Sequence, residues 1–148
     1  MGKNKLEDKF KYLSSVYEKK RIGILQKQHP GVCSDGYGGV IQTPGSCDFM
    51  GSINGLPVLI ECKETIKKAF YLGNSKRAKR QREKLRQWHD IHNGLSYLCL
   101  LQLKTDRVYL LPFCQIPDKG NLFIEKFYVS QIKKFHLNEI VSRCNHDN

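Results

Sequence analysis

Asp48, Glu61 and Lys63 form a candidate catalytic group in this sequence. The dipeptide Asn54-Gly55 between the two acids accepts the positive φ angles of a two-residue type I′ turn, which predicts a β-hairpin. Counting outward from that turn places Asp48 directly opposite Glu61. Two like charges in that position destabilise a sheet, and a divalent cation would compensate them. The hairpin therefore predicts a site for a metal ion.

The turn also fixes which residues of the hairpin share a face. Lys63 lies one strand period beyond Glu61, so both side chains point to one face, together with Ser46 opposite Lys63. Cys62 points to the other face, which suits burial against a core. The alternative is an ordinary half-exposed hairpin with a surface acid and lysine. The predicted pairs are, outward from the turn, Ile53 with Leu56, Ser52 with Pro57, Gly51 with Val58, Met50 with Leu59, and Phe49 with Ile60.

The spacing of Asp, then Glu-x-Lys, resembles that of the PD-(D/E)xK nuclease superfamily, and more closely that of RecU-type Holliday-junction resolvases. Those proteins carry Thr-Thr-Asp-Tyr-x-Gly, a hairpin, and then Glu-Ala-Lys-Glu-Thr. The matching segments here are Ser46-Cys47-Asp48-Phe49-Met50-Gly51 and Glu61-Cys62-Lys63-Glu64-Thr65. The resemblance implies a single restriction-endonuclease-like domain over residues 1–148, of the α/β class, with a central mixed β-sheet flanked by helices.

The constellation, with this resemblance, indicates metal-dependent phosphodiester hydrolysis. Asp48, Glu61 and the backbone carbonyl of Cys62 offer oxygen ligands suited to Mg²⁺, for which Mn²⁺ would substitute. Lys63 would orient the attacking water or stabilise the transition state. The catalytic residues are thus predicted to be Asp48, Glu61 and Lys63. The superfamily leaves a nick with a 5′-phosphate and a 3′-hydroxyl.

Further site residues follow from the resemblance alone. Ser46 matches a threonine that the family places near its metal, and Gln81 matches a glutamine used there. Glu7 matches a glutamate of the family's first helix and is a candidate accessory residue near the metal. The alternative for Gln81 is a solvated residue, and for Glu7 a charge that is favourable at a helix N-terminus.

The composition favours a polyanionic partner. The 148 residues include 25 Lys and Arg against 14 Asp and Glu, for a net charge of +11. The most basic segment lies in a predicted helix that ends near His92, and its cations lack acids for i, i+4 neutralisation. DNA contact is favoured over an ordinary solvated helix face. The predicted DNA-binding residues are Lys76, Arg77, Lys79, Arg80, Arg82, Lys84 and Arg86.

The remaining elements follow from periodicity and turn residues. A glycine-rich segment at 31–45 is expected to be a mobile loop, without the basic stalk of the RecU family. Ser130 is expected to cap a last helix at 130–143, with a frayed tail at 144–148. The other predictions are a helix at 4–20 and strands at 22–28, 95–104 and 107–112.

The sequence predicts a cytoplasmic protein, because charged residues rather than an apolar run follow the N-terminus and no stretch approaches a membrane span. The six cysteines are interpreted as reduced thiols, with a zinc site or disulfides as the alternative. The predicted function is resolution of four-way DNA junctions by paired nicking in recombination and repair, by a homodimer whose two-fold symmetry suits the junction. The alternatives are another PD-(D/E)xK DNA endonuclease, sequence-specific or for repair, and a non-catalytic basic DNA-binding protein.

Overall fold

The computed structural model describes residues 5–28, 31–34, 40–43, 48–67, 70–72, 76–92, 95–117 and 120–146. Its helices are α1 (Lys5–Lys20), α2 (Lys76–His92) and α3 (Leu137–His146), and 3₁₀ turns lie at Phe113–Gln115, Glu125–Phe127 and Ile132–Lys134. Its strands are β1 (Gly23–Lys27), β2 (Gly31–Ser34), β3 (Val40–Thr43), β4 (Phe49–Ile53), β5 (Leu56–Thr65), β6 (Phe70–Leu72), β7 (Leu95–Gln102), β8 (Arg107–Pro112), β9 (Gly120–Leu122) and β10 (Tyr128–Gln131).

A mixed sheet of six strands forms the centre of the described part of the chain. Its order is β1-β4-β5-β7-β8-β10, and β5 and β7 are parallel whereas the other neighbours are antiparallel. Parallel neighbours need a crossover connection, which contains α2. This arrangement is the α/β class with a central mixed sheet that the sequence predicted.

The two faces of the sheet bury two separate apolar clusters. On one face, α1 and α3 cover alternate residues of the strands, including Ile60, Cys62 and Cys99. On the other face, Leu59, Leu98 and their neighbours pack beneath the 3₁₀ turns that follow β8 and β9. Since strand residues alternate between faces, Glu61 and Lys63 belong to this second face, at the end of β5 away from the hairpin turn.

The central hairpin has the register that the sequence predicted. The five pairs of β4 with β5 run from Ile53 with Leu56 to Phe49 with Ile60. Asn54 and Gly55 have φ angles of 53° and 80°, as a type I′ turn requires. On its other side β4 pairs with β1, where a Cβ at Gly51 would lie 1.8 Å from the carbonyl oxygen of Ile24. Glycine at this position therefore allows β1 to approach the hairpin.

Polar side chains fix α1 against the sheet. The carboxylate of Glu64 on β5 accepts a hydrogen bond from the amide of Leu6, at 3.0 Å, and so satisfies a donor of the first helical turn. The hydroxyl of Ser14 donates to the carbonyl of Leu25 at 2.8 Å and accepts from its amide at 3.0 Å. These contacts tie both halves of α1 to the strands and position Glu7 near the end of β1.

The expected helix at 130–143 is wrong in its first half. Ser130 lies in β10, and its hydroxyl contacts the carbonyl of Gln131 rather than capping a helix. The helix begins only at Leu137, where the hydroxyl of Tyr17 on α1 accepts hydrogen bonds from the amides of Leu137 and Asn138, at 2.9 and 3.1 Å. The cap is supplied by a residue distant in sequence, so local pattern could not locate it.

Two smaller expectations also differ from the structure. Within the segment expected to be a mobile loop, β2 and β3 form an antiparallel pair, whereas residues 35–39, 44 and 45 lie outside the described residues. The last helix extends to His146, so residues 144–146 are helical rather than frayed. Beyond it, residues 147 and 148 also lie outside the described part.

Candidate active site

The structure brings Asp48, Glu61 and Lys63 together at the end of the central hairpin. The amide of Asp48 donates to the carbonyl of Ile60 at 3.0 Å, and its Oδ2 accepts a hydrogen bond from the amide of Cys62 at 2.7 Å. The Glu61 carboxyl is 8% exposed, and its Oε1 lies 3.8 Å from Nζ of Lys63, whose side chain is 50% exposed. One acid is thus held by the backbone, one is buried, and the lysine reaches solvent.

The electrostatics of Glu61 show what this arrangement lacks. Burial, and after it the hydrogen bond and negative charge of Asp48, raise the pKa of Glu61, whereas Lys63 and Lys27 lower it, and the net result is a pKa of about 8. Without an added cation the site therefore holds a carboxyl group that resists ionisation. A divalent cation would supply the missing positive charge.

The donor set fits Mg²⁺ better than a softer metal. Mg²⁺ is commonly held by one or two carboxylates and keeps several waters. Among the side chains that the structure describes, no group of three His, Cys, Asp or Glu could hold a metal ion. Asp48 and Glu61 supply two oxygen ligands, and the backbone carbonyl of Cys62 is adjacent in sequence to Glu61. The residues present are sufficient for a partly hydrated Mg²⁺.

Lys27 is a charged member of the site that sequence reasoning missed. Its Nζ lies 2.8 Å from Oε1 of Glu7, 3.6 Å from Oδ1 of Asp48 and 5.3 Å from the ring centroid of Phe49. Lys27 ends β1 opposite Phe49, the residue that follows Asp48. The pairing of β1 with β4 would have revealed it, but the sequence does not carry a turn signal for that pairing. Glu7, expected near the metal, lies against Lys27.

The structure does not describe the side chains of the other two predicted metal-site residues. Ser46 lies outside the described residues. Gln81 lies within α2, but its side chain is also outside the description. Their roles near a metal remain predictions.

The basic helix α2 has a solvent-facing and a protein-facing set of cations. Arg82 is only 7% exposed. Arg86 donates to the backbone carbonyls of Phe113 and Ile116, and its Nη1 lies 3.7 Å from Glu83. These two arginines therefore contact the protein, although the sequence assigned them to DNA, and the side chain of Arg77 is outside the description. The exposed cations of the helix are Lys76, Lys79, Arg80 and Lys84.

Three cysteines whose side chains the structure describes, Cys62, Cys99 and Cys114, are free thiols. Cys62 and Cys99 face each other across β5 and β7 and are buried, and Cys114 is exposed. Burial raises the pKa of both the Cys62 and the Cys99 thiols, so both stay protonated near neutral pH. In the described chain, no helix has the length and apolar character needed to cross a membrane.

Comparison with known proteins identifies both the fold and the family of this chain. Hjc of Archaeoglobus fulgidus, a Holliday junction resolvase from an archaeal hyperthermophile, superposes with a TM-score of 0.53 at 14% identity, over 90% of this chain and 98% of that chain. This likeness confirms the predicted restriction-endonuclease-like fold. Comparison with curated protein sequences gives no match. The family model of RecU, recombination protein U, matches residues 2–146. The chain therefore belongs to the RecU family.

Proposed function

We propose that this protein is a Mg²⁺-dependent endodeoxyribonuclease that resolves four-way DNA junctions by paired nicking in recombination and repair. The observation that carries the proposal is the buried Glu61 carboxyl against Asp48, with Lys63 beside it at 3.8 Å. Membership of the RecU family and the fold shared with Hjc, a Holliday junction resolvase, support the same function.

Asp48 and Glu61, with the backbone carbonyl of Cys62, would hold the cation. When bound there, Mg²⁺ would offset the negative charge that develops on the phosphoryl oxygens. The Cys62 amide fixes Oδ2 of Asp48 at 2.7 Å, so this carboxylate is oriented before substrate arrives. Ser46 and Gln81 are proposed to lie near the same cation.

Lys63 is proposed to act on the substrate side of the site. Its half-exposed ammonium would donate hydrogen bonds to the attacking water or to a phosphoryl oxygen as charge builds there. Water attacks phosphorus, the bond from phosphorus to the 3′ oxygen breaks, and that oxygen takes up a proton. The products are a 5′-phosphate and a 3′-hydroxyl, with no covalent enzyme intermediate.

The exposed cations of α2, Lys76, Lys79, Arg80 and Lys84, are proposed to contact DNA phosphates, in keeping with the net charge of +11. A four-way junction has approximate two-fold symmetry and must be cut on two opposed strands. A C2 homodimer would present two equivalent active sites to those strands.

The test is cleavage of a labelled mobile four-way junction beside a linear duplex of the same arm sequence, with Mg²⁺ and with chelator. Wild type, Lys63→Ala and Lys20→Ala are compared, because Lys20 is an exposed lysine at the far end of α1. We expect symmetric, ligatable nicks in the junction by wild type and Lys20→Ala, lost with chelator and in Lys63→Ala, while junction binding survives.

Each other outcome has a defined meaning. Cutting by Lys63→Ala at a near wild-type rate would refute the site. Equal cutting of junction and duplex would indicate another endonuclease of the same fold. Tight junction binding by wild type without any cutting would indicate a non-catalytic DNA-binding protein.

A further inference from the structure

The Lys27 ammonium is held between two carboxylates at the edge of the candidate metal site. It lies 2.8 Å from Oε1 of Glu7 and 3.6 Å from Oδ1 of Asp48. The side chains of Lys27, Glu7 and Asp48 are 25%, 21% and 23% exposed, so the group is largely sheltered from water. Charge pairing in such a position is screened less than on an open surface.

In two-metal nucleases the second cation lies about 3.5–4 Å from the first and shares a bridging carboxylate with it. In this protein, Asp48 and Glu7 are the carboxylates that would supply oxygens to such an ion, because they lie on either side of Lys27. The ammonium of Lys27 already contacts those two carboxylates. A second metal ion and the Lys27 ammonium cannot both lie between Asp48 and Glu7, because they would overlap and repel each other.

We propose that Lys27 takes the place of a second metal ion, so that each chain binds a single divalent cation at Asp48 and Glu61. The inference rests on the proposed metal-dependent function and deepens it. Glu7 then acts as a positioning residue for Lys27 rather than as a metal ligand.

The surrounding structure keeps the ammonium in place. Lys27 pairs with Phe49 in the β1–β4 ladder, and the next amide, of Gln28, donates to the carbonyl of Asp48 at 2.8 Å. The Phe49 ring lies beneath the ammonium at 5.3 Å. The strand pairing and the ring therefore hold the ammonium between Glu7 and Asp48.

The direct test counts metal ions per chain without DNA. Mn²⁺ binding is measured by equilibrium dialysis and by the loss of the free-ion electron paramagnetic resonance signal, for wild type and Lys27→Met. We expect Lys27→Met to bind one more ion per chain than wild type, because the substitution removes the ammonium that lies between Glu7 and Asp48. Lys27→Arg, which keeps the charge, and Lys20→Met, which removes an exposed lysine at the far end of α1, should bind as wild type does.

A second pair of variants shows which carboxylate is involved. In the Lys27→Met background, Glu7→Gln should remove the additional ion. In the wild-type background, Glu7→Gln should leave the ion count unchanged and the affinity within a few-fold, because Glu7 is not a ligand there. This single variant keeps the test decisive if Lys27→Met does not fold.

Equal ion counts in wild type and Lys27→Met would overturn the proposal, as would loss of an ion in Glu7→Gln alone. An additional ion that survives Glu7→Gln in the double variant would also overturn it, since the ion would then lie elsewhere. The readout is a difference in ion count between folded proteins. Its failure is therefore distinct from failure to cut junctions, which would overturn the proposed function instead.

Discussion

Replacing Glu61 by Gln is expected to stabilise the metal-free protein near and above neutral pH. The carboxyl has its pKa raised from 4.5 to about 8 by burial and by Asp48. Between these values the folded protein keeps a proton that the unfolded chain has lost, so the free energy of unfolding falls as pH rises, by about 1.4 kcal/mol per pH unit. The stability that Glu61 contributes is fully present below pH 4.5 and is lost by pH 8. At pH 7 the free energy of unfolding has already fallen by about 3 kcal/mol. Gln has nearly the same size and does not titrate.

The assay is urea unfolding followed by far-UV circular dichroism, with chelator, at several pH values from 5 to 8.5. The difference between Glu61→Gln and wild type is the informative quantity, because contributions of other titrating groups largely cancel. Glu18→Gln, which removes an exposed carboxyl on α1, is the matched control for the loss of one negative charge. If the wild type does not lose stability relative to Glu61→Gln as pH rises, the assignment of Glu61 as a strained, buried carboxyl is refuted.

Adding Mg²⁺ should reverse the order of the two proteins. Bound cation stabilises only the form that binds it, by RT ln(1 + [L]/Kd), which is about 2.7 kcal/mol at a hundredfold excess over Kd. Wild type should gain this at pH 8, whereas Glu61→Gln should gain little because it has lost a ligand. The residue that lowers stability in the empty site would then be one that the proposed function requires.

Two further predictions concern other parts of the chain. Tyr17→Phe should lower the free energy of unfolding by about 2–3 kcal/mol in urea denaturation, because it removes the hydroxyl that accepts from both amides at the start of α3; a loss below about 0.5 kcal/mol would mean that the cap is not important. Replacing Lys79 and Arg80 by Gln should weaken junction binding and reduce the salt slope of log K by about two, whereas Arg86→Met should lower Tm and leave that slope unchanged. An equal change of slope in Arg86→Met would show that its guanidinium reaches DNA.

The parts of the fold that local chemistry determines could be predicted from the sequence. The Asn54-Gly55 turn fixed the whole register of β4 with β5, because a two-residue turn leaves no freedom in the pairing and the period of two then assigns each face. The apolar stripe predicted α1 to within a residue at each end. The same turn placed Asp48 and Glu61 next to each other.

Features that depend on distant contacts could not be predicted. The start of α3 depends on a tyrosine hydroxyl more than a hundred residues earlier in the chain, whereas the local sequence favours Ser130 as the helix cap. No local sequence pattern identifies Lys27 as a site residue either, because its position in the site depends on the pairing of β1 with β4. In α2 the charge pattern could not separate the cations that face solvent from Arg82 and Arg86, because that depends on which side of the helix meets the 3₁₀ turn after β8.

Lys27 and Lys63 differ in burial, and this difference favours a separate role for each lysine in the proposed mechanism. Lys27 is sheltered, paired with Glu7 and Asp48, and held by the β1–β4 ladder, so its charge is fixed before substrate arrives. Lys63 is half exposed and forms an ion pair with Glu61 at 3.8 Å, which solvent weakens, so its ammonium can turn toward an incoming phosphate at little cost. In the proposed mechanism, Lys27 is the fixed cation that sets the charge of the metal site, and Lys63 is the movable cation that meets the scissile phosphate. The two residues lie on different strands, and the ion counts of Lys27→Met and the cutting rate of Lys63→Ala test the two proposed roles separately.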